Sequence, residues 1–450
     1  MTREKLQAII IAGLALFAMY FGAGNLIFPV MIGVEAGPNL TPALTGFILT
    51  GVALPVLGMV AVATSSRGID GLSQRLGKLP GLAFTVVIFL STGMLYAIPR
   101  VATVSYEMSV KPLLLANTTA NSATNTVADA SALPLLAYTL VFFAAAYVLA
   151  LNPKGLIDRI GKWLTPALLA LLVAMIVAAT LRGAHPAPTP AQTYAHAPLP
   201  SGLIQGYFTM DAIASLVFGL VIIDALRRRG FANGRPVFAA TVGAGMIAGA
   251  ALVAIYIGLA FIGAHVHEAE VTNGAAALTL AANELFGRAG QSMFGLIALL
   301  ACLTTAVGLL GASSSYFQGF FPQVRRRYMV AIHVAVSLAL ANLGLDAILA
   351  VVAPLNQLIY PVAISLIAVT LLDIPIPRRL HYSYRLPAAA AALVGAGEAL
   401  WSTQLPAFAP LRSTLDLFPL GSVHLPWVVP ALLGLAVGLA LDFSAAARSK

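Results

Sequence analysis

The stretch YFGAGNLIFP, Tyr20 to Pro29, lies inside a run from Leu6 to Val34 in which no residue is charged. A helix rises ~1.5 Å per residue, so such a run is long enough to cross a hydrocarbon core about 30 Å thick. Yet the middle of this run holds Gly22 and Gly24 around one small residue, followed by the polar amide of Asn25. Each glycine costs a helix interior about 1 kcal/mol against alanine. A backbone N–H or C=O freed in hydrocarbon costs several kcal/mol more unless the protein satisfies it. A span that breaks here is therefore expected to line protein or a polar cavity. Close packing of two helices through Gly-x-Gly is the plainer reading of the glycines.

The rest of the chain supports a membrane setting. Of 450 residues, 60% are hydrophobic and 9% charged, with a mean hydropathy of +0.92. A soluble domain carries about a quarter charged residues. Apolar runs recur to the end of the sequence, without the two-residue alternation of a barrel strand. Twelve spans are expected, at about 7–32, 41–64, 81–107, 134–151, 163–181, 203–226, 236–263, 291–319, 328–343, 346–372, 386–403 and 424–442. The expected class is an all-α polytopic membrane protein.

The net charge of +9 follows the topology. With the N-terminus inside, 20 of the 25 Lys and Arg residues fall in cytoplasmic segments and only Lys111, Arg182, Arg288 and Arg412 outside; Arg100 lies within a span. The excess of basic residues on one side places both termini in the cytoplasm and argues against a nucleic-acid partner. The single cysteine, Cys302, lies in a span, which excludes a disulfide framework and a thiolate metal site. No cleavable leader is expected. The loops near 108–133 and 183–202 are low-complexity spacers.

Spans one to five can be laid over spans six to ten. Five is odd, so the second copy enters the membrane in the opposite direction, which is an inverted repeat. The expected organisation is 1–182 for the first repeat, 203–372 for the second, and 384–450 for two added helices and a cytoplasmic tail. The sixth span carries the matching interruption, GYFTMDAIAS from Gly206 to Ser215, with Asp211 inside the membrane.

Two facing breaks suit a zwitterion. Amides at the start of one half-helix can hold a carboxylate, while unwound carbonyls can hold an ammonium or a bare Na⁺. Asn25 would add a hard oxygen for the cation. Asp211 reads as a site carboxylate or as a cap for the second half of the sixth span, a role Thr209 could also take. Thr304 and Thr305 can offer hydroxyl oxygens, or simply bond their own helix. Arg100 reads as an outer gate or carboxylate attractor, or as a structural cation that snorkels or pairs with Glu107 on the same face. His265, His267, Glu268 and Glu270 group in an external loop and read as solvated surface. Asn356 and Gln357 lie beside two prolines in the tenth span, where a flexible gate and ordinary packing are equally open.

Four ordered segments, FGAGNLIFP, AIPRVATVS, GYFTMDAIASLVFG and CLTTAVGLL, resemble hallmark segments of the branched-chain amino acid:cation symporters, the BrnQ-type carriers. The resemblance implies the five-plus-five inverted architecture of the LeuT fold, with discontinuous first and sixth helices. It also implies uptake of leucine, isoleucine and valine coupled to Na⁺, in a bacterial inner membrane. Carried over, Phe21, Gly22, Ala23, Gly24 and Asn25 would contact substrate and cation, and Thr209, Met210, Asp211, Ala212 and Ser215 would face them. Thr304 and Thr305 would complete the Na⁺ site with Asn25, and Tyr96 would be an aromatic lid over the side-chain pocket. A proton-coupled carrier of the same fold, with Asp211 titrating, is the nearest alternative. A channel would need a continuous polar lining. A membrane enzyme would need clustered acids, histidines or metal ligands at one face.

Overall fold

The computed structural model describes residues 3–65, 67–118, 132–151, 162, 165–181, 189–266, 274–376, 380–403, 405–423 and 425–448. Among them there is no strand. The main helices are α1 (Arg3–Tyr20), α2 (Ala23–Ala36), α3 (Leu40–Ile48), α4 (Leu54–Ala63), α5 (Lys78–Leu90), α6 (Ala97–Ser109), α7 (Ala132–Ala150) and α8 (Thr165–Leu181). They continue with α9 (Pro198–Phe208), α10 (Asp211–Arg228), α11 (Arg235–Gly263), α12 (Gly274–Phe320), α13 (Arg326–Ala341), α14 (Leu345–Asp373), α15 (Tyr382–Ser402) and α16 (Val428–Arg448). Among the described residues, six helical stretches are long and apolar enough to cross a membrane: Gly24–Ala63, Lys78–Leu114, Leu133–Ala150, Arg235–Gly263, Ala289–Phe320 and Val428–Ala445. Helices α9 and α10 together make a further such stretch, bent by 41°.

The chain breaks where the glycines and Asp211 suggested. Between α1 and α2, Phe21 and Gly22 leave the helix, and Gly22 is extended (φ −108°, ψ −161°). Between α9 and α10, Thr209 and Met210 do so, and Met210 adopts the left-handed region at φ +68°. That conformation costs a side-chain-bearing residue ~1–3 kcal/mol and concentrates at functional sites. A third break was not anticipated. From Ser91 to Leu95 the helix loosens to π geometry, Gly93 is non-helical, and regular helix resumes only at Ala97.

Two compact units emerge, one of Met1–Ala53, Gly93–Asp211 and Gly243–Leu345, the other of Leu54–Thr92, Ala212–Val242 and Asp346–Lys450. In the first, α12 lies along α1, α2, α6, α7, α8 and α13. It bends at Gly287, whose φ of +60° a side chain would strain. Other contacts are backbone to backbone. A Cβ on Gly202 would fall 1.8 Å from Ala43 O where α9 meets α3, and one on Gly33 or Gly263 would fall 2.0 Å from the carbonyl oxygen of Ala260 or Val30, where α2 meets α11. Lipid offers helices no hydrophobic reason to associate, so such close approach supplies the attraction through dispersion.

In the second unit, α15 packs along α16. Asp442 of α16 accepts the N–H groups of His381, Tyr382 and Ser383 at 3.0, 3.0 and 2.9 Å. It thereby satisfies donors at the start of α15 that no helical carbonyl can reach. Arg75, between α4 and α5, pairs with Asp373 at 2.5 Å and donates to the hydroxyl of Tyr384, which in turn donates to Asp373 at 3.0 Å.

Candidate functional site

The first break is built around Asn25. Its Oδ1 accepts the N–H of Gly22 at 3.3 Å, which caps the start of α2, and Gly22 N–H also reaches Tyr20 O at 2.7 Å. Its Nδ2 donates to Asp211 Oδ2 at 2.5 Å and to the hydroxyl of Tyr256 on α11. The Tyr256 hydroxyl lies 3.5 Å from the same carboxylate oxygen. Asn25, Asp211 and Tyr256 are 2%, 3% and 0% exposed. A buried carboxylate needs donors, and here it finds the amide of Asn25, with the phenol of Tyr256 at the outer limit of hydrogen bonding. Asp211 is therefore more than a local cap. Its own N–H sits 3.5 Å from Thr209 Oγ1, which donates to Gly206 O at 2.8 Å.

Aromatic rings close around this link. Phe21 is fully buried, stacked on Phe17 with centroids 5.2 Å apart and on Tyr256 at 6.5 Å, and Phe47 meets Tyr256 edge-on at 5.0 Å. Arg100 borders both breaks. Its Nη1 donates to Tyr96 OH at 3.0 Å and lies 3.9 Å from Met210 Sδ, and a Cβ on Gly24 would fall 3.1 Å from its Nη2. Tyr96 occupies the position just before α6 and is buried. Glu107 pairs instead with Lys111, one helical turn on, at 2.6 Å. The expected Arg100–Glu107 pair is thus absent, because a more accessible cation on Glu107's own face takes it.

A second cluster is made of oxygens. Thr304 Oγ1 donates to Ala18 O at 3.0 Å and Ala301 O at 2.9 Å, and Thr305 Oγ1 reaches Ala18 O at 3.4 Å. Thr305 lies against the first break, since a Cβ on Gly22 would fall 3.1 Å from its Oγ1. Gly22 is thus required by close approach. The structure joins Asn25 to Asp211 and Tyr256, while no bond links it directly to either threonine.

Of the remaining expected residues, Ala23 opens α2. Ala212 and Ser215 follow on α10 in the second unit, where Ser215 Oγ donates to Ala212 O at 2.6 Å and a Cβ on Gly58 would fall 1.9 Å from it. Of the external grouping, His265 is described and its Nδ1–H donates to Phe261 O at 2.6 Å; His267, Glu268 and Glu270 lie outside the described residues. Tyr256 is the residue that sequence reasoning missed. One tyrosine in an apolar span carries no signal until its partners are known.

A family model for branched-chain amino acid transport proteins matches residues 5–444. The chain belongs to that family. It is 39% identical to the branched-chain amino acid permease BrnQ of Corynebacterium glutamicum, over 97% of this chain and 96% of the relative. It is 36% identical to the branched-chain amino acid permease BraB of Bacillus subtilis, over 96% and 95%. Its fold is similar to that of Mhp1, a nucleobase-cation-symport-1 family transporter solved in a closed conformation with bromovinylhydantoin bound. The TM-score is 0.55 at 13% identity, covering 98% of this chain and 93% of that one. The protein is accordingly a multi-pass membrane transporter of the branched-chain amino acid family rather than an enzyme.

Proposed function

We propose that the protein imports leucine, isoleucine and valine by Na⁺ symport through alternating access, in a bacterial inner membrane with both termini cytoplasmic. The observation that carries this reading is the hydrogen-bonded meeting of two broken helices, Asn25 at the start of α2 with Asp211 at the start of α10. Helices are interrupted at mid-membrane where backbone poles must face a polar cargo. In this reading the chain is a twelve-helix, five-plus-five inverted repeat of residues 1–182 and 203–372, followed by two added helices.

The substrate's charged groups lie at the breaks. Gly24 and Asn25 N–H groups form no hydrogen bond among the described residues, as expected for the first turn of a helix. Asp211 is the acceptor for the ammonium. The aliphatic side chain lies along the aromatic wall of Phe21, Phe47 and Tyr256. A methylene more or less changes binding by about 1–3 kcal/mol, so the three substrates overlap. Na⁺ is held by Ala18 O, Ala301 O and the hydroxyls of Thr304 and Thr305, the hard oxygens that a small cation prefers. Asn25 Oδ1 retains one lone pair beyond its bond to Gly22 for the same ion.

Proton coupling through Asp211 is the second reading, favoured by a buried carboxylate whose hydrogen-bond partners, Asn25 and Tyr256, are neutral. The test is uptake of labelled leucine into proteoliposomes under an inward Na⁺ gradient, under none, and under a pH gradient without Na⁺. Accumulation that requires Na⁺ supports the proposal. Accumulation driven by the pH gradient alone transfers coupling to Asp211, and no leucine accumulation under any gradient refutes both.

A further inference from the structure

Arg100 lies in α6 within the candidate span Lys78–Leu114, and among the described residues it forms no ion pair. Among the described residues its hydrogen-bond partners are the Tyr96 hydroxyl and the Met210 sulfur, both reached from Nη1. Among the same residues, the donors on Nη2 and Nε find no acceptor. A cation in the middle of a span costs ~2.5 kcal/mol or more and is retained where function needs it. The planar guanidinium fork matches a planar, two-oxygen anion.

We infer that Arg100 is the receptor for the substrate's α-carboxylate, opposed by Asp211 as receptor for the ammonium, so that the site selects zwitterions. The inference rests on the reading of these breaks as an amino acid site. The two charges flank the same breaks. Arg100 lies 3.9 Å from Met210 Sδ and beside Gly24, where an added Cβ would fall 3.1 Å from its Nη2; Gly24 precedes Asn25 and Met210 precedes Asp211, and Asn25 holds Asp211 at 2.5 Å. On one broken helix the cation therefore sits one residue from the anion, and on the other one residue from the amide that holds the anion. An α-amino acid carries its own two charges on neighbouring carbons, a separation that suits receptors set this close. The free N–H groups of Gly24 and Asn25 lie on the same helix start that the guanidinium covers and reinforce the carboxylate end.

This assignment makes Arg100 a specificity residue rather than an outer gate, and the two roles give different kinetics. A gate residue changes turnover without changing which molecules compete. A carboxylate receptor changes KM and competitor ranking together. The test uses the full chain in proteoliposomes, with labelled leucine as substrate and leucinamide, which keeps the ammonium but lacks the carboxylate, as competitor. Wild-type uptake is expected to ignore excess leucinamide. Arg100→Gln is expected to raise the leucine KM about 30-fold or more, the loss typical of truncating one partner of a buried charge pair. Its residual uptake is then inhibited equally by leucine and leucinamide. Arg100→Lys, which keeps the charge and guards against a variant that fails to insert, is expected to recover part of the KM and the discrimination.

An Arg100→Gln variant with a wild-type KM, or one that still rejects leucinamide, would overturn the assignment while leaving leucine transport standing. Wild-type protein that takes up no leucine would overturn both.

Discussion

Replacing Asn25 with alanine removes a side chain that bonds to both helix breaks. Three bonds are lost, and they are not equal. The amide donates to the carboxylate of Asp211 at 2.5 Å, and a hydrogen bond to a charged group contributes about 1.5–3 kcal/mol. The Tyr256 hydroxyl loses its donor from Asn25, a neutral bond of about 1 kcal/mol. Gly22 N–H keeps Tyr20 O at 2.7 Å, so its loss is small. If the link sets Asp211 for the substrate ammonium, about 2–4 kcal/mol is lost from binding, a rise in leucine KM of about 30- to 1,000-fold.

Tyr256→Phe isolates the smaller part, about 1 kcal/mol or some fivefold in KM. The direct approach of the Tyr256 hydroxyl to Asp211 is 3.5 Å, too long to contribute much. Tyr256 therefore acts through Asn25, and the double variant should be no worse than Asn25→Ala alone. Leucine KM in proteoliposomes for wild type, both singles and the double forms a cycle with a coupling of about 1 kcal/mol. A wild-type KM in Asn25→Ala, or strictly additive effects, would refute this reasoning.

Other consequences follow from the same geometry. Thr305→Ala should raise the Na⁺ concentration for half-maximal uptake about tenfold, by losing one oxygen ligand, and leave leucine KM at saturating Na⁺ unchanged. Gly202→Val would drive a side chain into Ala43 O, where even a Cβ falls at 1.8 Å; overpacking costs about 1–3 kcal/mol and is read as a lower Tm in detergent. Burial pushes the carboxyl of Asp70, between α4 and α5, above its ordinary value. The fold therefore favours the protonated form, a contribution present at low pH and lost as pH rises through the raised value. Asp70→Asn should raise Tm at neutral pH and leave it unchanged below about pH 3.

Both helix breaks in the site were legible because they violate local propensity: glycines and an amide in one apolar span, an aspartate in another. The loosening at Ser91–Leu95 was not, since a serine, a threonine and a glycine in a membrane helix are compatible with an uninterrupted span. Thr304 and Thr305 stand out in the sequence as adjacent hydroxyls, but their common acceptor, Ala18 O, is a backbone atom that no side-chain pattern announces. Arg100 was visible as a lone intramembrane cation. Its expected partner Glu107 lay two turns along the same helix, and Lys111, a single turn beyond Glu107, won the competition at the exposed end. The contact of Arg100 with Met210 spans 110 residues of sequence, and only the fold could supply it.

The central claim is that substrate and Na⁺ bind at the breaks as coupled ligands, and coupling between two ligands must be reciprocal. The most direct measurement is the dissociation constant for labelled leucine on purified protein, across a series of Na⁺ concentrations at fixed pH and ionic strength, for wild type and Thr305→Ala. The account predicts leucine binding that tightens as Na⁺ rises in the wild type, and that needs more Na⁺ to do so in the variant. A leucine affinity indifferent to Na⁺ in the wild type would contradict it.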